Sequence, residues 1–219
     1  MFTPCLFARA CAVLALAFAG AAAAKPIAFQ DGRTLMLEYG AGTMEEAQGF
    51  YAPRYWYSVG AGYVHLEQEN HLFRHDITYA RLNYLAERWN LSDAQANVFL
   101  WGGAGGAQGD DFDGERIAEN AGGQLDYETL RVYGSLKTDW QHSSAFAHRI
   151  DTLQLGVAPY HHSYDGVALW VLGQARHYTG GIYDGTEVAL MLRVFRGPVW
   201  LEAGVTADRK LQSMFMFNF

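Results

Sequence analysis

The side chains best suited to chemistry in this chain are histidines, acids and a few hydroxyls. His161-His162-Ser163 sets a histidine two residues before a serine. Residues two apart on a strand share a face, so His161 could act as base to a Ser163 nucleophile. The carboxylate that would orient the histidine is missing at the expected distance, because Val167 to Tyr178 contains no acid and Asp165 stands too near. His161 and His162 are neighbours and would point to opposite faces of a strand, so only a turn lets both bind one metal ion. His71 and His75 flank a strand start, and Met36, Met191, Met214 and Met216 would add the soft ligands that copper takes. Ordinary turn and packing roles are the plainer account of residues so scattered. Asp110, Asp111, Asp113 and Glu115, with Gly114 to turn the chain, match only part of a calcium-loop pattern, and a solvated acidic loop is the plainer account of them.

Composition removes other chemistries. Residues 1–24 read as an export signal. Arg9 gives a basic start, Ala10 to Phe18 an apolar run, and Ala22 and Ala24 the small residues before a cleavage point at Lys25. Both cysteines, Cys5 and Cys11, fall inside that segment, so residues 25–219 have no thiol for disulfides, metal ligation or nucleophilic attack. The formal charge of −7 becomes −8 once Arg9 is gone, which argues against nucleic acid as a partner. No cofactor-binding motif stands out. After residue 24 no run is long and apolar enough to cross a bilayer as a helix.

These side chains must be held by strands. Period-two alternation recurs from residue 33 onward, broken by Gly, Asn, Asp and Pro clusters. It predicts ten strands, near 33–40, 54–66, 72–86, 94–105, 123–139, 148–160, 166–178, 184–196, 198–207 and 210–219. Eight is the alternative, if the first or the 198–207 segment is no strand. Thr43 to Gln48 reads as a short helix in a loop. With ten strands and both termini on one side, Arg196-Gly197-Pro198 makes a tight turn on that side. The acidic stretch 109–116 becomes a long turn there too.

The two faces of each strand differ in kind. Val188, Leu190, Leu192 and Val194 oppose Glu187, Met191 and Arg193, and Leu136 lies between Ser135 and Lys137. A soluble barrel puts its apolar face inward and covers the outside with charge. A membrane barrel does the reverse. Only Lys25, Lys137 and Lys210 follow residue 24, too few lysines for the usual charged surface, and aromatic residues gather near strand ends. The expected fold is therefore all-β, a small antiparallel transmembrane β-barrel filling 25–219 as one domain. Its lumen face would carry Glu38, Arg131, Lys137, Asp139, Arg176, Glu187, Arg193 and Glu202. Either these charges pair into a plug or they line a path for a small solute or ion. Gly60, Gly62, Gly102, Gly103 and Gly105 would leave room inside or relieve strain at bends.

The last strand carries Phe215, Phe217 and Phe219 on one face, with an aromatic residue at the carboxyl terminus. In this the chain resembles bacterial outer-membrane β-barrel proteins, whose final strand ends in Phe and is read by the barrel-assembly machinery. The resemblance implies an outer-membrane location, that machinery as an assembly partner, and outer-membrane lipid and lipopolysaccharide as surroundings. It carries no activity, because one barrel plan hosts many. Some barrels of this kind are lipid A deacylases, and the His161–Ser163 spacing resembles theirs. The expectation is a non-enzymatic barrel, structural or assisting passage of a small solute or ion. A lipid-modifying hydrolase and a copper-type metal-handling barrel are the alternatives.

Overall fold

The computed structural model describes residue 27 and residues 29–68, 73–161, 166–180 and 185–219. The alternating segments form twelve antiparallel strands. They are β1 (Gly32–Gly40), β2 (Met44–Arg54), β3 (Tyr57–Glu67), β4 (Arg74–Asn90), β5 (Ala94–Gly109), β6 (Arg116–Thr129), β7 (Val132–Ser143), β8 (Ala147–Val157), β9 (Ala168–Thr179), β10 (Gly185–Arg196), β11 (Val199–Thr206) and β12 (Leu211–Asn218). Each pairs with its neighbours in sequence, and β12 returns to β1, placing Phe215 opposite Leu37 and Phe217 opposite Leu35. The closed ladder leaves no edge strand, which a sheet in lipid requires.

The count of twelve corrects the ten strands expected from the sequence, and the alternative of eight. Two segments make the difference. The stretch after residue 40 is not a loop with a helical turn: β2 begins at Met44 and pairs with both β1 and β3. Met44, Glu46, Gln48, Phe50 and Ala52 of β2 are buried, while Glu45, Gly49 and Tyr51 face out. Neither face is uniformly apolar, so the period is hidden from a hydropathy reading. The 123–139 segment is two strands, β6 and β7, folded back at Leu130-Arg131 without Gly, Pro or Asn. The Thr129 hydroxyl makes that turn by accepting the backbone N–H of Arg131 at 3.1 Å and of Val132 at 2.8 Å.

The extra strands also move the acidic stretch. Residues 110–115 now connect β5 to β6 at the end opposite the termini, and the 197–198 turn lies at the terminus end.

The wall sorts side chains as lipid demands. Leu155, Leu190, Leu192 and Leu136 point outward, Leu190 with 64 % of its surface exposed. Such a continuous apolar belt would be unfavourable in water and suits hydrocarbon. Tyr57, Tyr84 and Tyr127 border it near the terminus end, and Tyr39, Tyr63 and Trp140 near the other. Aromatic rings with polar tips favour that boundary between water and apolar solvent.

Candidate functional site

Among the described residues, buried charges converge in the barrel interior, which is layered. Toward the terminus end, Trp170, Trp200, Phe195, Tyr133 and Met216 pack as one apolar cluster. Ile27, Leu85, Phe99 and Trp101 form another beside it. Toward the opposite end, Leu66, Ile77, Phe146, Ile150 and Tyr178 close the bore, with Phe112 of the 110–115 connection packed on them. Polar groups fill the space between.

Hairpin register explains the tightest pair. Arg193 on β10 stands directly opposite Glu202 on β11, and its Nε donates to Glu202 Oε1 at 2.7 Å. Trp200 Nε1 donates to the same oxygen at 3.0 Å, and Gln154 Nε2 to the other at 3.1 Å. The guanidinium also lies 4.1 Å from the Tyr133 ring centre and 4.4 Å from that of Trp200. From Gln154 an amide chain runs through Gln174 and Gln212 to Glu187, which also accepts from the Tyr178 hydroxyl at 3.1 Å. With Arg193 only 1 % exposed, each of these bonds offsets part of a large desolvation cost.

The other charges meet across the bore. Arg176 on β9 pairs with Glu38 on β1. Lys137 and Asp139, two apart on β7, pair at 2.8 Å, and Trp101 Nε1 donates to Asp139 at 2.8 Å. Arg131 is the exception among the expected lumen residues. It lies exposed in the β6–β7 turn, with Nε donating to the Ala158 carbonyl, because the segment read as one strand is two.

Several interior groups escaped the sequence reading. Glu46 accepts from the Tyr79 hydroxyl and Gln48 from Arg81, whose guanidinium also lies near the Phe50, Tyr79 and Trp101 rings. The signal for Arg81 was present in β4, where Tyr79, Arg81 and Asn83 alternate with Ala80 and Leu82. Toward the terminus end, Arg88 Nε donates to Asn97 at 2.7 Å, and Asn97 donates to Asp126 at 2.6 Å.

Gly62 and Gly122, which point inward, make room for rings, whereas Gly103 and Gly105 stand against the backbone of β4. A Cβ on Gly62 would stand 2.4 Å from the Tyr79 ring, and one on Gly122 would stand 2.6 Å from Trp101. Gly102, by contrast, faces out into open space. Between the layers a cavity of about 80 Å³ and a smaller one of about 20 Å³ remain, both bordered by Glu38, Lys137, Thr152 and Arg176. That suffices for a few waters bridging polar groups.

The remaining candidates lie elsewhere. Met36, Met191 and Met214 border the larger cavity, and Met216 packs in the cluster with Trp200. His161 is exposed in the β8–β9 connection at the terminus end, whereas His162, Ser163 and His71 lie outside the described residues. Among the described residues no group of three His, Cys, Asp or Glu side chains could hold a metal ion. Asp110 accepts from the Arg74 backbone N–H at 2.7 Å, and Asp111 meets His75. Phe215, Phe217 and Phe219 lie together on the outer wall, the last two with ring centres 5.2 Å apart.

The fold and its outward apolar wall fit a membrane β-barrel. No family model matches the chain, and no curated protein matches it. One solved chain, reported under "Unveiling the Mechanism Behind the in-meso Crystallization of Membrane Proteins", aligns with 86% of this chain and 82% of its own length. The identity is 9% and the TM-score 0.39, which assigns neither a family nor an activity.

Proposed function

We propose that the protein is a non-enzymatic outer-membrane β-barrel, exported by residues 1–24, that serves a structural role with its lumen sealed. The observation that carries this reading is the sealing. Arg193 with Glu202, Arg176 with Glu38 and Lys137 with Asp139 pair in the middle of the bore, packed apolar layers lie at both ends, and only cavities of about 80 Å³ and about 20 Å³ stay open between them. A narrow path for a small solute or ion is the second reading, favoured by the four residues that the two cavities share. The hydrolase alternative is weakened by the position of His161 at the terminus end. In the outer membrane that end faces the periplasm, away from lipopolysaccharide.

Surface labelling of a Gram-negative host tests the location and orientation together. A cysteine at Asp208→Cys, in the β11–β12 turn, is expected to react with a membrane-impermeant maleimide on intact cells. Asp93→Cys, in the β4–β5 turn at the terminus end, should react only after lysis. Labelling of neither on intact cells, with the protein recovered in the soluble fraction, would refute the proposal.

A further inference from the structure

The mouth opposite the termini is closed by a hydrogen-bonded chain of two imidazoles and a carboxylate. His148 Nδ1 lies 2.8 Å from the Gly180 carbonyl oxygen, and His148 Nε2 lies 2.7 Å from His75 Nδ1. His75 Nε2 lies 2.7 Å from Asp111 Oδ1. Both imidazoles are buried. Their rings stack with those of Phe73 and Phe146 at centre distances of 4.5 to 6.3 Å, and the His75 ring meets Phe112 at 5.5 Å. The chain thus ties the start of β4, the start of β8, the end of β9 and the 110–115 connection into one cluster.

Donor and acceptor roles follow from one fixed end. The Gly180 carbonyl can only accept, so His148 carries its proton on Nδ1 and offers the Nε2 lone pair. His75 Nδ1–H therefore donates to His148. One further proton is shared between His75 Nε2 and Asp111, and the chain is complete. We propose that this cluster is a pH-sensitive latch that holds the 110–115 connection over the mouth and lets it go in acid. A further proton on His148 Nε2 would oppose the His75 N–H at 2.7 Å and break the bond between the imidazoles.

The charged neighbours do not take over this role. Among the described residues, Asp111 and the other imidazole are the titratable groups that face each ring. Asp110 is occupied by the Arg74 backbone N–H. Arg74 itself pairs with Asp76 at 3.4 Å, and Arg149 with Asp151 at 2.9 Å, both on the outer wall. Glu115 lies against Gly106, a strand away. The Phe rings give an added charge no compensation beyond their faces, so a doubly protonated pair is expelled toward water.

The latch can be read whether or not the lumen conducts. A nitroxide at Asp113→Cys, in a chain with Cys5→Ser and Cys11→Ser, reports the motion of the connection in refolded protein. Spectra are taken between about pH 7 and about pH 3, passing below the ordinary His and carboxylate ranges. The mobile fraction is expected to rise several-fold toward the acid end. Asp111→Ala should be mobile throughout. His148→Phe, whose ring keeps the stack, should lose the acid step. Equal mobility across the range in the unsubstituted chain would overturn the latch. So would an acid step that survives His148→Phe, or an Asp111→Ala connection that stays immobile.

Discussion

Glu202→Ala is expected to destabilise the barrel by about 3–5 kcal/mol, the cost of leaving one partner of a buried ion pair alone. Arg193 and Glu202 are 1 % and 3 % exposed, so little solvent screening is available to either. The substitution strips Arg193 of its carboxylate, leaves Trp200 Nε1 without its acceptor and leaves Gln154 Nε2 with Gln174 alone. The Tyr133 and Trp200 ring faces retain part of the guanidinium's stabilisation, which keeps the loss from being larger. Urea unfolding of refolded protein in a lipid bilayer reads the effect. Arg193→Met combined with Glu202→Gln should recover most of the loss, because both charges leave together. A single-substitution loss below about 1 kcal/mol, the size typical of a surface pair, would show that the bore is wet rather than packed.

The second large effect is on the outside. Leu190→Arg places a charge in the middle of the outward apolar belt, opposite Gly173 and Val205 on the neighbouring strands. In a bilayer this should cost about 2–4 kcal/mol, while Thr186→Arg, near the end of the same strand, should cost about 0–1 kcal/mol. In a water-soluble barrel both positions are exposed and both substitutions would be nearly neutral. The same urea titration, run on the two variants side by side, separates the cases. Equal effects would mean that the belt does not contact lipid.

How far the sequence was legible depended on whether the two faces of a strand differ. In β10 they differ sharply, with Val188, Leu190 and Leu192 against Glu187 and Arg193, and both the strand and its lumen residues could be read. In β2 the outward face is Glu45, Ala47, Gly49 and Tyr51, and the inward face is Met44, Glu46, Gln48 and Phe50. Here hydropathy oscillates weakly, the Glu45-Glu46 pair looks helical, and the strand was missed together with two lumen residues. The β6–β7 turn was missed because a threonine hydroxyl does the work usually marked by glycine or asparagine. Arg131 then took a place in the lumen that its turn position denies it.

Alternation predicts no particular pairing, even where the partners are local. Lys137 and Asp139 are two apart on one strand, and Arg193 faces Glu202 across a hairpin whose turn contains Gly197 and Pro198. Arg176 reaches Glu38 across 138 residues, a contact that exists only because the sheet closes. The same holds for His75 and His148, which sit on strands four apart in the sheet order yet share a hydrogen bond at the mouth. Alternation tells which side chains point inward. It does not tell which of them meet.

Single-channel recording of the refolded protein in a planar bilayer tests the sealed membrane barrel most directly, with an unheated gel-shift sample confirming that the barrel is closed. The folded, heat-modifiable protein is expected to insert and stay silent at neutral pH. Discrete, ion-selective conductance steps from that same folded sample would contradict this expectation, and would make the paired charges of the bore the lining of a pathway rather than its plug.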